Sequence, residues 1–149
     1  MKILLPVDGS DCAMKTLHWA GELFKGRSDV EFYLLEVISI TPDTITVEYD
    51  VTDATKTLNN AKRALESMGC HVAEISYVLG DPVERICEYA EEMGLDQILI
   101  GSHGRTGLSK LLMGSVSVAV MERSKCPVTL HRNVEHSPIR HILPANTVL

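Results

Sequence analysis

Long apolar runs are absent from this sequence, and no uninterrupted stretch reaches the length needed to cross a bilayer. Positive charge is also scarce. Fourteen Lys and Arg face twenty Asp and Glu, a net charge of −6, which disfavours a general nucleic-acid-binding role. The four cysteines, Cys12, Cys70, Cys87 and Cys126, form no C-x-x-C pair and have no histidine at zinc-finger spacing. They are expected to be reduced and mostly buried thiols, with Cys87 on the apolar side of a helix. His18, His71, His131, His136 and His141 show no metal-ligand spacing either. The opening Met1-Lys2-Ile3-Leu4-Leu5-Pro6 lacks the apolar region and cleavage site of a signal peptide, so a cytoplasmic location is expected, with no membrane partner. No internal repeat, low-complexity tract or linker interrupts the chain. Its 149 residues suit one domain with a real core.

What is present alternates in type. Lys2 to Val7 is nearly all apolar, as in a strand covered on both faces. Asp8-Gly9-Ser10-Asp11 ends it, and Ser10 or Asp11 caps a helix from about Cys12 to Lys25, with Ala13, Leu17, Ala20 and Phe24 on one face and Gly26 as breaker. Trp19 and Phe24 read as packing residues and His18 as a surface one. Glu31 to Ile38 reads as a second strand, and Ser39 to Tyr49, which contains Pro42, as a loop. A second helix is expected from near Asp50 to Met68, with Leu58, Ala61, Leu65 and Met68 inward. His71 to Val78 alternates as a third strand. Asp81 and Pro82 open a helix that runs to about Met93, with Ile86, Tyr89, Ala90 and Met93 on its apolar face. Leu95 to Ile100 and Cys126 to His131 read as the fourth and fifth strands, with a helix from Val116 to Arg123 between them. Strands alternating with helices predict an α/β fold, a mostly parallel sheet with helices on both faces in three layers.

The most informative stretch runs from Gly101 to Ser117. Glycines stand at a strand exit and at a helix entrance. A glycine lets backbone approach a ligand closely, and a helix entrance offers unpaired N–H groups and partial positive charge to a phosphate. The alternative is a glycine-rich loop that merely turns the chain. No Gly-Lys-Ser/Thr follows at Walker A spacing, and the glycines are too far apart for the dinucleotide fingerprint. Two residues separate Gly101 from Gly104, nine separate Gly104 from Gly114, and Ser115 follows directly.

This G-x2-G-x9-G-S pattern resembles the signature of the ATP-binding branch of the universal stress protein family. The resemblance extends from Lys2 to about Arg132, so that residues 1–132 are the expected domain, through the opening Ile3 to Ser10 and through Ser124 to Val128 near the fifth strand. It implies an adenine-nucleotide alpha-hydrolase-like fold with a five-stranded sheet in the order 3-2-1-4-5, and a nucleotide crevice at the reversal between strands one and four. It further implies that Pro6, Val7 and Asp8 line the adenine and ribose side and that the backbone of Val37 meets the base. Gly101 and Gly104 match the ribose–phosphate loop, and Gly114, Ser115, Val116 and Ser117 the triphosphate-binding helix entrance. ATP, with or without Mg²⁺, is the implied cofactor. A homodimer through strand five, Val128 to Arg132, is the implied partner arrangement; no nucleic-acid partner is expected, on the net charge.

Residue types suggest roles within that frame. Asp8 can accept from a ribose hydroxyl or hold a hydrated Mg²⁺, or simply form the Asp8-Gly9 turn. Ser115 and Ser117 can donate to phosphate oxygens or cap the helix. Arg105 can supply a cation to a triphosphate or stay solvated in its loop. His103 can act as a base toward water or fix the loop through a backbone hydrogen bond. The leading expectation is a stress-response regulatory or signalling protein that binds ATP or another adenine nucleotide. The alternatives are a slow ATPase or nucleotidyl-transfer enzyme, and a dimerisation module with a vestigial site. No clear general base or arginine cluster supports an enzyme. Residues 133–149 form an expected tail that is either flexible or docks on the dimer.

Overall fold

The computed structural model describes residues 1–40, 47–104 and 113–132, with the backbone alone at 47–50. In chain order the elements are β1 (Lys2–Pro6), α1 (Asp11–Phe24), β2 (Glu31–Ile38), α2 (Val47–Ser67), β3 (His71–Leu79), α3 (Pro82–Glu92), β4 (Gln97–Gly101), α4 (Ser115–Arg123) and β5 (Val128–His131). The strands form one five-stranded sheet in the order β3-β2-β1-β4-β5, and every neighbouring pair is parallel. No helix among the described residues is long and apolar enough to cross a membrane.

Successive side chains of a strand point to opposite faces, and β1 uses both. Ile3, Leu5 and Val7 pack with Leu17 and Ala20 of α1 and Leu58, Ala61 and Leu65 of α2. Leu4 packs with Leu35, Ile98 and Ile100, against Ile86 and Ala90 of α3 and Val120 of α4. A central strand thus needs apolar residues at consecutive positions, as Ile3, Leu4 and Leu5 supply.

The helices start and stop for local reasons. Ser10 accepts from the Ala13 N–H at 3.2 Å and caps α1. Asp81 accepts from the Glu84 N–H at 3.0 Å and caps α3, with Pro82 at its first position. Beyond α3, Gly94 has φ of +58°, a conformation that favours glycine.

Several boundaries differ from expectation. Helix α2 begins at Val47 instead of near Asp50; the weak helix propensity of Val and Tyr costs only a few tenths of a kcal/mol per residue, roughly, and is overridden. Residues 41–46 of the expected loop, with Pro42, lie outside the described residues. Strand β4 begins at Gln97 instead of Leu95, because the Leu95 N–H donates to the Ala90 carbonyl at 2.9 Å and closes α3. Strand β5 begins at Val128 instead of Cys126. The Cys126 N–H is taken by Ser124 Oγ at 3.2 Å, and Pro127 has no N–H to offer. Strand β3 departs from strict alternation, since its register against β2 passes from Phe32–Val72 to Tyr33–Glu74 and skips Ala73. The four thiols are free, but only Cys70 is buried; Cys12, Cys87 and Cys126 are half-buried.

Candidate functional site

Parallel strands bring all their carboxyl ends to one side of the sheet, and the order reverses between β1 and β4. A cleft of about 810 Å³ opens at that place. Its floor comes from strand ends: Pro6 and Val7 of β1 and its exit, Val37 of β2, and Ile100 and Gly101 of β4. Asp8, His103 and Gly104 rise from the turns that follow, and Gly114, Ser115, Val116 and Ser117 bring the start of α4 to the same space. Eleven of the twelve residues singled out as a binding set therefore line one cleft. The twelfth, Arg105, lies outside the described residues, as do the loop residues up to Leu112.

The glycines of the motif stand where a side chain would be crowded. None of Gly101, Gly104 and Gly114 has positive φ. A Cβ on Gly101 would stand 3.0 Å from both Cys12 Sγ and Thr16 Oγ1, where α1 crosses β4. On Gly104 it would stand 3.1 Å from Asp8 Oδ2, and on Gly114 3.2 Å from the Ser102 carbonyl oxygen. Of the described glycines lining the cleft, only Gly9, in the turn after β1, adopts the left-handed region, at φ of +75°.

Ser102 joins the two ends of the glycine stretch. Its carbonyl accepts from the Gly114 N–H at 2.7 Å and from Ser117 Oγ at 3.3 Å. Its own N–H donates to the His131 carbonyl at 3.0 Å. Its Oγ pairs with His103 Nδ1 at 2.8 Å, so His103 is fixed through a side chain and not through the backbone bond expected of it. His103 Nε2 is buried and makes no hydrogen bond. A ring nitrogen without solvent contact is poorly placed to activate a water. Ser102 is 1% exposed, so the Ser–His pair does not present a nucleophile to the cleft despite its short hydrogen bond.

The start of α4 is unlike those of α1 and α3. Its N-cap is Gly114, with no side-chain cap hydrogen bond. This corrects the expectation that Ser115 or Ser117 caps the helix. Ser115 is the first helical residue and is exposed, whereas Ser117 is buried and donates to the Gly114 carbonyl at 2.8 Å. A helix without a capping side chain leaves first-turn N–H groups available to a ligand. Asp8 keeps its turn role as well as its place in the cleft, because Oδ1 accepts from the Ser10 N–H at 2.9 Å.

One wall was not anticipated. Asp53, Lys56, Thr57 and Asn60 of α2 line the cleft, as does Glu36 of β2, which is 2% exposed. The four α2 residues recur at helical spacing along one flank of the apolar stripe. That spacing was legible, but a polar helix face ordinarily signals solvent. Among the described residues no group of three or more His, Cys, Asp or Glu could hold a metal ion.

The profile of the universal stress protein family matches residues 1–132. Universal stress protein YxiE of Bacillus subtilis is 33% identical, over 88% of this chain and 98% of its own. Among solved structures, MJ0577 of Methanocaldococcus jannaschii superposes with a TM-score of 0.77 at 33% identity, covering 91% of this chain and 97% of that one. The universal stress protein of Archaeoglobus fulgidus, solved in complex with dAMP, superposes with a TM-score of 0.66 at 28% identity, covering 87% and 96%. With the family's profile over most of its length and the same sheet order carrying a cleft at the strand reversal, this chain belongs to the universal stress protein family.

Proposed function

We propose that the cleft binds an adenine nucleotide, with ATP as the resident ligand, and that the protein is a stress-response regulatory or signalling protein. The observation that carries this reading is the uncapped N-terminus of α4 opening into the cleft at the strand reversal. There the N–H groups at Ser115 and Val116 meet the phosphates, and the Ser115 hydroxyl adds a donor. The backbone at Gly104 and Gly114 is bare enough for close approach, since the Cβ atoms that would obstruct it are missing. Pro6, Val7 and the backbone of Val37 hold the base and ribose, and Asp8 accepts from a ribose hydroxyl. Mg²⁺ enters with the phosphates, with Asp8, whose Oδ2 would be 3.1 Å from a Cβ on Gly104, as the carboxylate that holds it. The dAMP complex of the related A. fulgidus protein supports a purine nucleotide as the ligand class.

The protein acts as a homodimer in this reading. Strand β5 is a sheet edge, its outer backbone groups invite pairing, and antiparallel contact of Val128 to Arg132 with a second copy would be isologous. Residues 1–132 are the domain, and residues 133–149 serve assembly.

The test is direct. Freshly purified protein is denatured and its released small molecules identified, and nucleotide-free protein is titrated with ATP in the presence and absence of Mg²⁺. An adenine nucleotide in the extract and saturable ATP binding are expected, with turnover negligible. An extract free of nucleotide together with no ATP binding would refute the reading.

A further inference from the structure

The cleft has a wall that the glycine motif does not contain. Asp53, Lys56, Thr57 and Asn60 stand at i, i+3, i+4 and i+7 and so share one face of α2. Ala54, Leu58, Ala61 and Leu65 are buried on the adjacent face, and that anchor fixes the direction in which the polar face looks. Thr57 lies against the turn after β1, where a Cβ on Gly9 would meet its Oγ1 at 3.4 Å. The neighbouring Asp8 reaches toward the glycine loop, with Oδ2 at 3.1 Å from a Cβ on Gly104. Through these contacts the polar face of α2 is continuous with the phosphate side of the cleft, and Lys56 is one residue from Thr57.

Charge makes that position significant. The carboxylates lining the cleft are Asp8, Glu36 and Asp53, and among the described lining residues Lys56 is the one lysine or arginine. An anion entering such a cleft needs a counter-charge. Lys56 Nζ is 3.8 Å from Asp53 Oδ1, and the two side chains are 71% and 48% exposed. An ion pair so long and so exposed holds its ammonium weakly, and the flexible stem lets the charge be redirected.

We propose that Lys56 contacts the ligand: when a nucleotide binds, its ammonium leaves Asp53 for a phosphate oxygen, and Asp53 acts as a built-in competitor that lowers affinity. The inference rests on the nucleotide reading above and assigns to α2 the selection of phosphorylated over unphosphorylated nucleosides.

Titration calorimetry with AMP and with adenosine tests it on the full chain and its Lys56→Gln and Asp53→Asn variants, with circular dichroism to confirm folding. Lys56→Gln is expected to weaken AMP about three- to tenfold, the range of a solvent-exposed charge-assisted contact, and to leave adenosine within twofold. Asp53→Asn is expected to strengthen AMP binding. Raising the salt should shrink both differences. If Lys56→Gln leaves AMP affinity intact, or weakens AMP and adenosine equally, the assignment is overturned. If the parent protein binds neither compound and does not bind ATP either, the nucleotide reading itself falls, and the assignment with it.

Discussion

At Gly114 a side chain would press on backbone, which has no rotamer to change. Its φ of −64° suits any residue, so the obstacle to Gly114→Val is the Ser102 carbonyl oxygen at 3.2 Å and His103 Cα at 3.5 Å. Overpacking of this kind costs about 1–3 kcal/mol. The variant should stay folded by circular dichroism yet lose ATP binding, because the 2.7 Å hydrogen bond that sets the start of α4 must give way. A folded Gly114→Val protein that binds ATP like the parent would show that the phosphates lie elsewhere. Asp8 is separable in the same titration. Asp8→Asn keeps an acceptor for the Ser10 N–H and removes the charge, so it should weaken Mg-ATP about ten- to a hundredfold. Asp8→Ala should weaken it further by freeing the turn as well. His131 offers a pH readout. Thr16 Oγ1 donates to the Cys12 carbonyl at 2.8 Å and so accepts from His131 Nδ1 at 3.0 Å, and the ring stacks on Trp19 with centroids 5.0 Å apart. Burial holds the imidazole below its usual pKa. The unfolded chain therefore binds the proton more readily. The stabilisation is complete above the ordinary histidine pKa and is lost as pH falls through the lowered one. Melting temperatures between pH 7.5 and 5 should fall more steeply for the parent than for His131→Gln, and the fluorescence of the single tryptophan should report the stack.

Among the elements, α3 shows how a short sequence signal suffices. Asp81, Pro82 and the apolar positions Ile86 and Ala90 place its start, cap and buried face within ten residues. Asp81→Ala should cost about 1 kcal/mol in chemical denaturation, with ATP affinity little changed because the residue does not line the cleft. Where α3 meets the sheet, Tyr89 donates to Glu74 at 3.0 Å and lies 3.1 Å from Ser76 Oγ. Burial pushes its hydroxyl up to about 12, so the phenol stays neutral and tethers α3 to the edge strand β3. Helix α2 carries two adjacent faces with different partners, the core for one and the cleft for the other. The apolar face follows from periodicity alone. The meaning of the polar face depends on a turn some fifty residues earlier in the chain, at Gly9, roughly the span of a βαβ unit and its following helix.

At the scale of the whole molecule, assembly and ligand binding are expected to separate. The cleft sits at the β1–β4 reversal, whereas β5 ends the sheet. Truncation after Arg132 should weaken self-association by light scattering and leave ATP affinity largely unchanged; loss of ATP binding with the dimer intact would reverse the assignment of the tail. By itself the sequence determined the alternation of strands and helices, the doubly covered β1, the caps of α1 and α3 and the spacing of the glycine motif. Each of these is written in neighbouring residues, through side-chain period or a cap hydrogen bond a few positions long. Tertiary structure decided the rest. Leu95 closes α3 instead of opening β4, Ser102 ties the motif's two ends, glycines serve close packing instead of positive φ, and α2 supplies a polar wall with Lys56. These outcomes depend on which distant atoms arrive at a position, and the local periods of a sequence carry no record of that meeting.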